Sequence, residues 1–258
     1  MHRAAPWTRA KPAAFTTSRP LPLHGRHWHF RRTLNWWVGI LFALGSTLFA
    51  LGGILVLAPE LARKWSLDTA SIGLVFFVGS IFFSAAAYLQ LLQAANTPPG
   101  TRIDETGVKP LAWFSWRPYD PDWLGCALQF AGTLLFNINT FDSLFAQLDW
   151  LQQDLMIWTP DMVGSSLFLG SGYIAFAEYW RQSGPWQPGR RSWWIVVINL
   201  LGCLAFMVAA GLSFVPFDSG GGVNMAISTG FLVAGALAFL AGGLLLLPGT
   251  GGMTGTQK

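Results

Sequence analysis

The sequence predicts an all-α integral membrane protein in which six transmembrane helices form three parallel two-helix hairpin repeats. Three observations carry this expectation. Charged residues make up only 11% of the 258 residues and hydrophobic residues 52%, whereas soluble domains carry roughly 25% charge. Six apolar stretches are each long enough to cross the hydrocarbon core of a bilayer, which takes about 20 residues. A Trp–Gly–Phe pattern then recurs in every second stretch. The 14 Trp residues agree, because Trp gathers at membrane interfaces.

The expected spans are 36–58, 71–93, 123–142, 161–180, 193–215 and 225–247. They divide the chain into a basic tail (1–35), a first hairpin (36–93), a loop (94–122), a second hairpin (123–180), a loop (181–192), a third hairpin (193–248) and a short tail (249–258). Four spans hold no charge; the third ends on Asp142, and the fourth opens at Asp161 and holds Glu178. Seven of the 16 Lys and Arg residues lie before residue 36, where there is no acid at all. The loops on that same side carry Arg102, Lys109, Arg117, Arg181, Arg190 and Arg191, and Lys258 ends the chain. The opposite side has only Arg63 and Lys64. Lys and Arg in short loops mark the cytoplasmic side, so both termini are expected in the cytoplasm, and the setting expected is a bacterial inner membrane. The first span is too long for the h-region of a cleaved signal peptide. The Arg-rich start also resembles a mitochondrial presequence, but Pro6, Pro12, Pro20 and Pro22 interrupt any amphipathic helix there.

The repeat is read from the odd spans. Trp36, Gly45 and Phe49 correspond to Trp123, Gly132 and Phe136, and to Trp193, Gly202 and Phe206. The residue after each Gly is small and weakly polar: Ser46, Thr133 or Cys203. In the even spans Gly79-Ser80, Gly170-Ser171 and Gly235-Ala236 occupy matching places, followed four residues on by Phe83, Ile174 and Phe239. Odd and even Gly are separated by 34, 38 and 33 residues. Units that each cross twice enter from one side and are parallel repeats. Gly at these positions is expected to let helix backbones approach closely, because association in lipid gains little from hydrophobicity. In the last span Ala226, Gly230, Ala234, Ala238 and Gly242 recur every four residues and are expected to form a smooth ridge against a neighbour.

The phrase Asn35-Trp36-Trp37-Val38-Gly39-Ile40-Leu41-Phe42, with Gly45-Ser46 and Phe49, resembles the small YrhK-like membrane domain of bacteria. The stretch from Gln129 to Asn137, with Trp158-Thr159-Pro160-Asp161 and Gly164-Ser165, resembles longer multi-span bacterial proteins carrying that domain. The likeness spans most of residues 34–248 and implies helical membrane units, but it supplies no ligand or catalytic residues. The Pro-x-acid-x-x-basic signature of mitochondrial carriers, which also have three hairpins, is broken at Leu61 and Gly221.

The polar residues inside the spans are the candidate functional ones. Gln129, Thr133, Asn137 and Thr140 fall within roughly an 80° arc of one helix. Asn199 occupies the place of Gln129 in the third repeat, where the first has Phe42. Such a stripe faces the bundle or a cavity: it is either interhelical glue or the wall of a hydrated path. Leu144, Leu148, Leu151 and Leu155 suggest a helix continuing or lying at the interface beyond the third span. Thr159-Pro160-Asp161 reads as the capped start of the fourth. Asp142, Asp149 and Asp161 read as solvated surface acids rather than a cation site, and Glu178 as the i,i+3 partner of Arg181. His24, His27 and His29 read as part of a basic segment contacting anionic lipid, with no metal site. Cys126 and Cys203 read as small apolar core residues.

No phosphate-binding loop, His-Glu-x-x-His, Gly-x-Ser-x-Gly or paired-Cys spacing occurs. The expectation is a non-enzymatic protein without cofactor and without nucleic-acid partner. It would work in the lipid bilayer as a scaffold or assembly component, with a second copy or another membrane protein as its partner. The alternative is a channel or transporter for a small solute along the polar face of the third span.

Overall fold

A computed structural model describes residues 25–97, 112–144, 150–184, 186–214 and 222–247, the side chains of 25–32, 150 and 222–224 excepted. The described residues are mostly helical, with no strand among them. The six long helices are α1 (Gly25–Leu57), α3 (Thr69–Ala95), α4 (Pro121–Asp142), α6 (Thr159–Ser183), α7 (Arg191–Leu212) and α8 (Gly222–Leu246). Two short ones, α2 (Pro59–Lys64) and α5 (Trp150–Gln152), sit in connections. Helix α1 starts well before residue 36, so part of the expected tail is helical. The His-rich tract and the far ends of the chain lie outside the described side chains.

Four helices are long and apolar enough to cross a membrane: Thr33–Leu57, Thr69–Ala95, Arg191–Leu212 and Met225–Leu246. They are the four that the sequence leaves uncharged. Helices α4 and α6 match them in length but carry Asp122, Asp142, Asp161, Glu178 and Arg181, which lowers their hydropathy below that of the rest.

Each long helix packs on the next in the chain, and α8 closes on α1. Neighbours run antiparallel. Asn35 of α1 accepts a hydrogen bond from Gln93 of α3, while Gly45 meets Gly79 and Gly52 meets Phe76. Thr140 and Ser80 pair their hydroxyls at 3.0 Å between α4 and α3. Ser228 of α8 donates to the Ala209 carbonyl of α7 at 2.8 Å. The result is an up-and-down ring of six helices.

Local signals set the helix ends. The Asp68 carboxylate accepts from the Ser71 amide and hydroxyl, capping α3, and these bonds hold its pKa below the usual value. Asp120 caps α4 through the Asp122 amide, with Pro121 in the first turn. Arg117 donates to the Thr97 and Ala95 carbonyls, a cation placed at the negative end of α3. One expected cap does not form. Trp158 and Thr159 are both helical and the Thr159 hydroxyl turns back to the Asp154 carbonyl, because a π-helical turn, Gln153–Trp158, runs straight into α6. Leu151 and Leu155 on this stretch are exposed.

The centre of the ring is filled by side chains. Phe49, Phe83, Phe136, Phe168, Phe206 and Phe239, one from each long helix, are each 4% exposed or less. Phe206 alone lies within 5.2–6.5 Å, centroid to centroid, of Phe49, Phe136, Phe168 and Phe239. These are tilted and edge-to-face contacts of the kind aromatic quadrupoles favour. The Phe side chains thus meet across a ring whose opposite helices do not touch through their backbones.

Gly beside each Phe makes room for this. A Cβ on Gly45 would lie 2.9 Å from the Gly79 carbonyl oxygen, and one on Gly132 would lie 3.0 Å from that of Gly164. A Cβ on Gly235 would lie 2.4 Å from the Phe206 ring. All three distances are shorter than van der Waals separation allows.

Two expectations about glycine are corrected here. The partner of Gly132 is Gly164, followed by Ser165 and Phe168, not Gly170 with Ile174. A Cβ on Gly170 would meet only Leu128, at 3.7 Å. The odd-to-even spacing thus becomes 34, 32 and 33 residues. The expected ridge of α8 is not its buried face either. Ala226 and Ala234 are exposed and a Cβ on Gly230 would meet nothing within 4 Å; of the ridge only Ala238, 3.4 Å from a Cβ on Gly202, and Gly242, buried on the side of the ring's open space, turn inward. The face that packs carries Ser228, Gly235, Ala236, Phe239 and Gly243. The close approach there is Gly243 to Gly39 of α1, where a Cβ on either would lie about 3 Å from the other's carbonyl oxygen.

Candidate functional site: a cavity above the phenylalanine plug

The ring is not filled along its whole length. A cavity of about 800 Å³ runs from the end where α4 and α7 begin down to the aromatic centre. Its floor holds Phe42 and Phe239 with Gln129 and Asn199, and its rim holds Asp122, Glu178, Arg190 and Arg191. Asn199 and Arg190 are nine residues apart on one helix, about 13 Å at 1.5 Å per residue. The cavity is therefore about 13 Å deep, neutral at the bottom and charged at the top.

Hairpins α4/α6 and α7/α8 supply almost all of its wall; of the α1/α3 pair only Phe42 and Gln90 contribute. The reason lies in equivalent positions with different side chains. Phe42, Gln129 and Asn199 each stand three residues before the packing Gly of their helix. The large apolar side chain of Phe42 is 4% exposed and rings against Phe83 at 5.9 Å. The two amides at the corresponding places leave open space.

The polar stripe of α4 is split by its neighbours. Asn137 donates to the Ser84 hydroxyl at 2.8 Å, and Thr140 bonds to Ser80 of α3 and to the Phe136 carbonyl. Thr133, fully buried in the central layer, donates to the Phe130 carbonyl in its own helix. These three make helix-to-helix or in-helix contacts, although the side-chain oxygen of Asn137 is buried without a partner. Gln129 differs. It is 8% exposed, and among the described residues nothing hydrogen-bonds to its side chain, which lies at the cavity floor. Asn199 shares that floor. The side-chain oxygen of Gln90 (Oε1), also on the wall, is buried without a partner. An amide carries two donors and two acceptor sites, and leaving them unmet in an apolar setting costs about 1–3 kcal/mol.

At the rim, charges separate. Glu178 pairs with Arg181 at 2.5 Å and accepts from Gln182 at 2.6 Å, as the sequence spacing anticipates. On the neighbouring helix Gly189, Arg190, Arg191 and Ser192 form the start of α7. This start has no acidic residue in its first turn and no side-chain cap. Arg191 reaches the Leu247 carbonyl, whereas Arg190 forms no ion pair among the described residues.

The two cysteines part company. Cys203 is 1% exposed beside Gly172 in the core, while Cys126 stands on the cavity wall. No cluster of three or more His, Cys, Asp or Glu able to hold a metal occurs among the described residues; Asp149 lies outside them. Sequence patterning could not show the cavity itself, because it depends on which face each helix turns to the ring. The one signal present was an amide at the same repeat position in two of three spans. Comparison with protein-family models, with curated proteins and with solved structures gives no match to this chain.

Proposed function

We propose that this chain is a six-span, three-hairpin protein of the bacterial inner membrane, related to the YrhK-like domain, that acts as a non-catalytic scaffold or assembly component. Both termini and the open end of the cavity face the cytoplasm in this reading. Helices α4 and α6 cross alongside the four more apolar ones, since they close the same ring at the same level. The repeat reading draws support from Gly45/Gly79, Gly132/Gly164 and Gly202/Gly235, each followed four residues on by a central Phe.

The observation that carries the scaffold reading is the six-phenylalanine plug. Side chains packed at about 5 Å between centroids argue against a water path through the middle of the bundle. The outer surface suits lipid: Leu44, Ile54, Leu74, Ile81, Leu201 and Leu244 are among the exposed apolar side chains, as expected where lipid tails replace water. Purified protein in liposomes is expected to pass no ion or small-solute flux above that of empty vesicles. Flux comparable to that of a known channel would overturn the reading.

A second reading, a transporter for a small solute, is favoured by one observation: the cavity ends half-way, as an inward-facing state would. It requires the plug to part. Substrate-driven uptake that Phe206→Trp abolishes without unfolding the protein would establish it over the scaffold.

A further inference from the structure

We propose that the cavity is a binding site for an elongated small organic anion, which docks its charged end at the start of α7 and its polar far end on Gln129 and Asn199. The inference rests on the cavity rather than on the scaffold reading, and would stand beside either function.

Three features argue for an anion at the rim. The first backbone N–H groups of a helix have no partner inside it and point outward, so a helix start attracts negative charge. In α3 and α4 that role is met by Asp68 and Asp120. The start of α7 has neither a side-chain cap nor an acid. It adds two guanidinium groups, and its residues Arg190 and Ser192 line the cavity. The acids of the rim do not cancel this. Glu178 is engaged by Arg181 and Gln182, and Asp122 stands in the first turn of α4, separated from α7 by α6 around the ring.

The far end is specified by what is missing there. Gln129 is nine-tenths buried with no hydrogen-bond partner among the described residues, at the bottom of a space of about 800 Å³. An amide presenting both donors and acceptors selects a neutral carbonyl, hydroxyl or amide. The aromatic floor of Phe42 and Phe239 disfavours a second charge at that depth. The ligand class is therefore a monoanion with a chain of about 13 Å ending in a neutral hydrogen-bonding group. An acyl chain would leave these amides unmet, which argues against a lipid tail.

Thermal melting of the full-length protein in phosphatidylcholine nanodiscs tests this. The probes are linear ω-amido and ω-hydroxy carboxylates of six to twelve carbons at 10 mM, each beside its methyl ester, with nanodiscs containing phosphatidylglycerol as a separate arm. Shifts are read relative to each variant's own midpoint. At least one carboxylate is expected to raise the midpoint by about 3 °C or more, and its ester to do nothing. Arg190→Gln should abolish the shift, Arg190→Lys should keep part of it, and Gln129→Leu should reduce it for amide-ended probes most. The proposal fails if no carboxylate stabilises, if the ester stabilises equally, or if Arg190→Gln keeps the full shift. It also fails if phosphatidylglycerol stabilises while no soluble carboxylate does, since the site would then be a lipid contact. Flux measurements play no part in these outcomes, so the binding claim and the scaffold claim fail separately.

Discussion

Asn137 and Gln129 are two amides on the same stripe of α4, and their different surroundings give them different consequences. Asn137 donates to Ser84 across the α3/α4 boundary. Interhelical bonds of this kind contribute on the order of 0.6–1 kcal/mol, so Asn137→Leu is expected to lower stability by about 1 kcal/mol, measured by denaturant titration in detergent. Gln129→Leu removes an amide that bonds to no described neighbour, and should leave stability unchanged or raise it slightly. A larger loss at Gln129 than at Asn137 would show that the assignment is inverted. The sequence made the stripe legible, because periodicity reports which residues share a face. It could not divide the stripe, because periodicity does not report whether the facing surface is Ser84 or empty space.

At the level of helices, contact is governed by how closely backbones approach. Gly39 and Gly243 bring α1 against α8 and so close the ring. Gly243→Leu would force a branched side chain into backbone and is expected to cost about 1–3 kcal/mol. Gly230→Leu, placed where a Cβ meets nothing within 4 Å, should cost far less. Equal losses at the two sites would contradict the helix faces described. Small residues alone did not identify the packing face of α8: its every-fourth-residue ridge is largely turned away, while the Gly235–Phe239 face packs. The α6 register misled for a related reason. Both Gly164-Ser165 and Gly170-Ser171 fit a Gly–small pattern, but Gly164 has a Phe four residues on, as Gly79 and Gly235 have, and both the approach of Gly132 to Gly164 and the ring of Phe168 against Phe136, at 5.0 Å, select the first. For orientation, a Cys placed at Gln152 is expected to react with an impermeant thiol reagent added outside cells, and one placed at Thr106 is not. The opposite pattern would reverse the proposed topology.

Over the whole molecule, six phenylalanines at one level join three hairpins and also close the middle of the ring. Phe206 touches four of the others, so Phe206→Ala is expected to destabilise by about 3–5 kcal/mol, more than Phe42→Ala at the margin of the cluster. A Phe206→Ala protein as stable as the parent would mean that the plug does not hold the hairpins together. The sequence by itself determined that the chain is helical and where the long helices lie to within a turn at most ends; of the six spans expected, four are helices long and apolar enough to cross a membrane. It also supplied the recurrent Gly and Phe of α1, α4 and α7. These follow from local chemistry: charge content, run length and spacing along one helix. Only the tertiary structure decided the buried face of α8 and the cavity over Gln129 and Asn199. Lipid and protein interior are similarly apolar, so hydropathy cannot distinguish a residue facing a neighbour from one facing outward. That choice is made by the fit of side chains between helices, which no single stretch of sequence contains.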